Sequence, residues 1–312
     1  MTKQDLANYG QSTINAGSKS FAKAAMLFDR ETGHSVKLLY AWCRHCDDEI
    51  DGQTLGRGLL ILSKTEQIQS LQSLETQTAD AFAKNPCAHP AFSALAYVAE
   101  KHNISEHHAH ELLRGFALDV ADSRFETIDD TLNYCYHVAG VVGIMMAQIM
   151  GVTDKPTLLR ACDLGIAFQL TNIARDVMDD IAIGRCYLPQ QWLKTAGMNE
   201  SDISLSEYRT VLHALVQDLL KVADNYYASA HYGIAHLPMR SAWAIASALL
   251  IYRDIGVQIK TATDNAWLTR AHTSKAKKIS LIGQGYLIAT QAKLLERNRE
   301  EPPRTGLWTK MH

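Results

Sequence analysis

The sequence predicts an all-α fold built as a single helical domain. Two observations carry that expectation. Only seven of the 312 residues are proline, and residues 1–85, 91–155, 157–188, 190–237 and 239–301 contain none. Across these stretches apolar residues recur three and four apart, the spacing that lines one face of a helix. Strand signals are weak as well: there is no Asn-Gly turn and no regular series of short alternating segments.

In chain order, helices are expected at 4–26, 34–51, 64–84, 90–102, 105–121, 128–151, 154–183, 205–235, 238–261 and 275–297. Asp129, Asp154 and Ser274 mark three of the starts, since their side-chain oxygens suit a helix N-terminus. Val138 to Val152 is nearly apolar but holds Gln148 and several glycines. It is shorter than the roughly 20 residues that a bilayer crossing needs, so it reads as a buried core helix. The domain is expected to cover 1–299, with 300–312, which includes Pro302-Pro303, an irregular or mobile tail. Helices in such number enclose a long apolar cavity between them.

Composition narrows the function. Hydrophobic residues make up 47% and charged residues 21%, enough for a sizeable core. Lys and Arg total 31 against 33 Asp and Glu, so the basic excess of a dedicated nucleic-acid binder is missing. Six cysteines in a chain of this length do not make a disulfide scaffold. Cys43-x-x-Cys46 lacks a second pair and sits in helical surroundings. Asp5 and other polar residues interrupt any secretory apolar segment near the start. A cytoplasmic protein, touching a membrane from one side at most, is expected.

Two segments carry chemistry. The first runs from Tyr40 to Asp51. At about 100° per helical residue, Tyr40, Arg44, Asp47 and Asp51 fall in a stripe roughly 60° wide, with Asp48 to one side. The second runs from Ala167 to Asp180, where Gln169, Asn172, Asp176 and Asp180 fall in a stripe roughly 80° wide, bordered by Asp179 with Arg175 nearby. Like charges one turn apart destabilise an isolated helix, and partial burial makes a cation or protonation necessary. Mg²⁺ answers that need, because it takes oxygen ligands and is held by one or two carboxylates together with substrate phosphates. Two such pairs on facing helices would grip a diphosphate and turn it into a leaving group, and Arg44 and Arg175 would add guanidinium contacts. Glu31-x-x-His34 has no second Glu-x-x-His to complete a pair of the di-iron type, and no zinc motif, no glycine-rich phosphate loop and no dinucleotide fingerprint is present. His107, His108 and His110 read as solvated helix residues.

These segments resemble the squalene/phytoene synthase family, most closely its bacterial phytoene-forming branch. Matching stretches are Gly17-Ser-Lys-Ser-Phe21, Tyr40 to Asp51, Tyr134 to Gly143, Gln169 to Asp180 and Gly184-Arg-Cys-Tyr-Leu-Pro189, in family order along nearly the whole chain. The resemblance implies an isoprenoid synthase fold with the aspartate motifs facing each other across a cavity. It implies head-to-head condensation of two geranylgeranyl diphosphates, through prephytoene diphosphate, to phytoene and released diphosphate, the first committed step of carotenoid formation. It implies about two to three Mg²⁺ or Mn²⁺ ions and no NADPH. Carried over by position, Asp47, Asp51, Asn172, Asp176 and Asp180 are metal ligands or diphosphate contacts, with Asp48 a helper. Arg44, Gln169 and Arg175 bind diphosphate or its ions, and Ser18 and Ser20 are phosphate-contacting serines. Tyr40, Tyr134 and Tyr252 lie near the reacting carbons. Phe21, Val138 and Val141 belong to the prenyl tunnel, with Met145 at the same helical spacing. Arg185 would reach phosphate from a lid. Lys275, Lys277 and Lys278 read as a solvated helix start.

Rival readings remain within the fold: a dehydrosqualene or squalene synthase working on two farnesyl diphosphates. Ala24 and Ala25, one turn beyond Phe21, are small where a bulky residue would shorten a tunnel, and so favour the longer substrate. A head-to-tail elongase fits less well, since its usual spacing is Asp-Asp-x-x-Asp and the second motif here, Asp176 to Asp180, is Asp-x-x-Asp-Asp. A non-catalytic subunit that delivers lipid substrates is the reading from a different class. A lipophilic product implies transient membrane-surface contact; oligomeric state is left open.

Overall fold

The structure, a computed structural model, describes residues 1–17, 19–55, 62–296 and 302–310, without the side chains of residues 19–21, 264 and 296. Thirteen α-helices lie among the described residues: α1 (Lys3–Gly17), α2 (Lys19–Ala25), α3 (Arg30–Asp51), α4 (Lys64–Phe82), α5 (Pro90–His102), α6 (Glu106–Val120), α7 (Ile128–Cys135), α8 (Val141–Ile149), α9 (Lys155–Ala182), α10 (Gln190–Thr195), α11 (Arg209–Gly233), α12 (Met239–Ala262) and α13 (Lys275–Gln291). No strand occurs among the described residues.

Two long helices organise the rest. On one side α3 packs against α1, α4 and α5; on the other, α9 packs against α8, α11 and α12. Each begins on a side-chain cap. Asp29 accepts from the backbone N–H groups of Glu31 and Thr32, and Asp154 accepts from that of Thr157, satisfying donors that no helical carbonyl can reach. Ser274 caps α13 in the same way.

Several expected elements differ in detail. The helix expected at 4–26 is assigned as α1 and α2. The start at 128 is capped by Thr127, reciprocally with Asp130, and not by Asp129. The helix expected at 128–151 is α7 and α8 joined by one π turn, Tyr136–Gly140. That extra residue changes which side chains face inward, as π turns do at functional sites. The short α10 and the 3₁₀ turn Glu200–Ser204 lie in a stretch where no helix was expected; both are too brief to show a 3.6-residue period.

α8 and the π turn lie unusually close to α9. A Cβ on Gly143 would sit 2.3 Å from the carbonyl oxygen of Ala161, and one on Gly165 2.2 Å from that of Ala139. Glycine is required where backbones meet at that distance. Ile128–Ile149 and Met239–Ala262 are long and apolar enough to cross a membrane, yet over half of each window is buried inside the fold. Core helices pass that same test. Residues 302–310 form no regular element, but they are tied to the helices. Trp308 N–H donates to Tyr226 Oη at 3.0 Å, and Arg304 pairs with Asp163 at 2.5 Å.

Candidate active site between two aspartate helices

The C-terminal halves of α3 and α9 face each other across a cavity of 690 Å³. Arg44, Asp47, Asp51, Tyr134, Gln169, Asn172, Arg175, Asp176, Asp180, Arg185 and Tyr252 all line it. A smaller cavity of 250 Å³ adjoins it, sharing Arg44, Asp47, Tyr134, Gln169 and Asn172 and adding Tyr40, Cys43, Leu112, Phe116 and Val138. Hence the polar stripes expected on two helices converge on one space, and the expected wall residue Val138 borders its annex.

Other expectations fall elsewhere. Val141 and Met145 are fully buried and line neither cavity; the π turn rotates the helix after Val138, so the simple period from Tyr134 no longer holds. Ala24 and Ala25 are buried and line neither cavity. Asp48 turns away to accept from the Leu55 backbone N–H at 2.6 Å, which ties down the turn after α3. Ser18 lies outside the described residues, as do the side chains of Ser20 and Phe21. Lys275 and Lys277 are exposed, but Lys278 is half-buried and lines the main cavity.

Arginines hold the carboxylates apart. Arg44 pairs with Asp47 at 2.5 Å, one turn away on α3. Arg185 reaches Asp51 at 2.7 Å. Gly184 makes that possible: at φ 79° it turns the chain back after α9, and Arg185 N–H then donates to Asp180 O at 2.9 Å. Asp176 is gripped twice. Arg175 Nε donates to it at 2.8 Å, and Arg270 makes a bidentate pair at 2.9 and 2.8 Å. The loop carrying Arg270 is pinned on α9 by Trp267, whose indole N–H donates to Ala174 O at 3.0 Å.

These contacts separate the protonation states. Burial, and then repulsion from Asp176, lift Asp180 to about 8. Burial lifts Asp47 to about 7 against the pull of Arg44. Burial works on Asp176 too, but its two guanidinium partners outweigh it and hold the carboxyl below its usual range. Groups in one cleft with shifts in opposite directions mark a candidate functional site.

Sequence reading missed three members of the site. Asp119, at the end of α6, accepts from Tyr134 Oη at 3.0 Å and Tyr187 Oη at 2.8 Å, and the two rings stack with centroids 4.7 Å apart. Burial lifts Asp119 to about 6. Tyr187 stood within a recognised stretch without a role. Arg270 had no local signal at all, since its partner lies 94 positions away. Tyr252 stacks on Phe168 with centroids 4.2 Å apart.

A divalent ion fits this donor set. Asn172 Oδ1 is buried without a hydrogen-bond partner among the described residues, and raised carboxyls such as Asp47 and Asp180 are those a nearby cation would ionise. No three acidic, histidine or cysteine side chains among the described residues form a ready cage.

The sequence pattern of squalene/phytoene synthases matches residues 14–277. The chain belongs to the squalene/phytoene synthase family. It is 49% identical over 309 residues to the 15-cis-phytoene synthase of Pantoea ananas, covering 99% of both chains. It is 45% identical to the 15-cis-phytoene synthase of a Paracoccus species, again over 99% of both. Among solved structures, a dehydrosqualene synthase superposes with a TM-score of 0.81 at 28% identity, covering 92% of this chain and 98% of that one. A squalene synthase from Alicyclobacillus acidocaldarius superposes with a TM-score of 0.66 at 21% identity, covering 91% and 97%, and supports the isoprenoid synthase fold. Family and fold together imply dependence on a divalent metal.

Proposed function

We infer that this chain is a phytoene synthase: a prenyltransferase that joins two geranylgeranyl diphosphates head to head through prephytoene diphosphate, releasing two diphosphates and forming phytoene. One observation carries the reading. Relatives named for that activity match at 45–49% identity from end to end, and the residues matched include both aspartate helices.

The site's own residues divide the work. Arg44, Arg175, Arg185, Arg270 and Lys278 surround the cavity with fixed positive charge suited to diphosphate oxygens. Asp47, Asp51, Asn172, Asp176 and Asp180 would hold Mg²⁺ or Mn²⁺, about two to three ions, which supply the charge that makes diphosphate a leaving group. As substrate enters, Arg44 and Arg185 would exchange carboxylate partners for phosphate oxygens, leaving Asp47 and Asp51 to the ions. Tyr40, Tyr134 and Tyr252 line the cavities and would offer π surface to an allylic cation formed there, since a π face attracts such a cation. Leu112, Phe116 and Val138 give the annex an apolar wall suited to a prenyl chain and to keeping water from the cation.

We also propose transient contact with a membrane surface, where a hydrocarbon product would leave. On α13, Ile279, Tyr286 and Leu287 are exposed at helical spacing, close to exposed Lys275 and Lys277. An apolar stripe beside basic residues suits an anionic lipid face. Failure to float with anionic liposomes, with or without substrate, would remove that part of the reading.

The deciding experiment is a product assay with purified protein and Mg²⁺, supplying geranylgeranyl and farnesyl diphosphate separately, each with and without NADPH. Phytoene from the longer substrate without NADPH is expected. Dehydrosqualene or squalene from the shorter one alone would move the chain to a sister branch. No hydrocarbon from folded protein would leave the lipid-delivering reading.

A further inference from the structure

Outside both cavities lie two carboxylates that the chemistry does not use. Glu111 on α6 and Asp163 on α9 are both fully buried. A buried charge needs partners, and a main partner of each comes from the last described residues. Lys310 Nζ bonds to Glu111. Arg304 donates to Asp163 through Nε at 2.8 Å and Nη2 at 2.5 Å. Around them, Ser229 of α11 donates to Asp163 and accepts from Arg160 Nη1 at 2.6 Å, and Arg160 Nη2 donates to Pro302 O at 2.5 Å. Glu111 is also bonded by Arg114, and His137 Nδ1 lies 3.4 Å from its carboxylate. Gly306, at φ 77°, makes the turn that carries Trp308 and Lys310 back to the helices.

This segment meets the site at the π turn. Trp308 lies 5.8 Å from the ring of Tyr136, and Lys310 Nζ stands 5.2 Å from the same ring. Tyr136 opens the π turn, and Val138, two residues on, lines the annex. Glu111 adjoins Leu112, another lining residue. The π turn is thus held from behind by Trp308 and Lys310, and α6 by Lys310.

We propose that Trp308 and Lys310 are positioning residues: by clasping Glu111 and the π turn, the C-terminal segment sets the wall formed by Leu112, Phe116 and Val138 and so the prenyl length the annex accepts. The proposal rests on the prenyl diphosphate reading above. It follows from the packing, because close-packed walls shift between discrete arrangements and do not deform smoothly. Without Lys310, an under-compensated Glu111 lies directly behind the wall.

The test compares Lys310→Met, Trp308→Leu and the double variant Lys310→Met/Glu111→Gln with the parent. The quantities read are kcat/KM for geranylgeranyl and for farnesyl diphosphate and the ratio between them, with folding followed by circular dichroism. The ratio is expected to shift at least fivefold in each single variant and to return within twofold of the parent in the double variant, which removes the buried charge together with its partner. Trp308→Leu leaves both ion pairs in place, so it decides the matter if Lys310→Met does not fold. An unmoved ratio in folded single variants, even with lowered thermal stability, overturns the proposal and leaves a structural strap only. A parent that turns over neither substrate overturns the prenyl diphosphate reading itself, and the proposal with it.

Discussion

α3 and α9 bring the same device to the cavity, two aspartates one turn apart, yet their electrostatics differ. On α3, Asp47 is neutralised from within the helix by Arg44 and is still lifted to about 7. On α9, Asp176 is held ionised by Arg175 and by Arg270 from a distant loop, while Asp180 is lifted to about 8. Arg185 joins the two helices, since it follows Asp180 in the chain yet pairs with Asp51. Equal spacing in the sequence therefore does not mean equal charge. On α9, the aspartate that stays ionised is set by Arg175 beside it and by Arg270 arriving from elsewhere in the fold, and burial lifts Asp180.

The comparison breaks most sharply at the raised carboxyls. Asp47→Asn and Asp180→Asn are each expected to lower kcat by about 10³-fold or more, roughly 4 kcal/mol of transition-state stabilisation, with helical circular dichroism unchanged. Near-normal turnover in either would dismiss the divalent-ion role of that helix.

Asp119 sits across from both pairs, and its charge adds to the pressure on Asp47 and Asp180. Burial raises its pKa in the folded protein to about 6, above a value of about 4 in the unfolded chain. The native state therefore binds the extra proton between those values, and stability falls as pH rises from 4 through 6, then levels. Relative to Asp119→Asn, the parent is expected to lose about 2 kcal/mol between pH 4 and 7. Urea melts at the two pH values measure it, and a pH-independent difference would contradict the assignment.

Smaller effects sharpen the contrast between local and distant arginines. Arg270→Met, which frees Asp176 from its distant partner, is expected to raise KM for prenyl diphosphate about 10-fold, near 1.4 kcal/mol. An unchanged KM would mean that Arg270 serves Asp176 alone. Arg185→Lys keeps the charge between the helix ends but loses the planar fork. About a threefold fall in kcat/KM is expected, under 1 kcal/mol; a tenfold loss would show that its geometry matters as much as its charge.

The polar stripes were legible because helical arithmetic places residues three and four apart on one face, and both stripes do line the cavity. The buried side of the helix after Tyr134 was not legible. One π turn moved Val141 and Met145 into the core and left Val138 on the annex, and no local signal in Tyr-His-Val-Ala-Gly announces an extra residue in a turn. Asp119 was passed over for a related reason: alone on α6, it looks like any acidic helix end until two tyrosyl hydroxyls from α7 and the loop after α9 meet it.

By itself the sequence determined the helices, the two carboxylate pairs and the family, because periodicity, caps and motifs are local in the chain. Tertiary structure alone decided which carboxyl stays ionised, which wall lines the annex and where the C-terminal segment rests. Those outcomes turn on burial and on charges brought together from far along the chain, as Arg270 with Asp176 and Lys310 with Glu111. Such energies depend on distance and dielectric in three dimensions, which no spacing along one helix encodes.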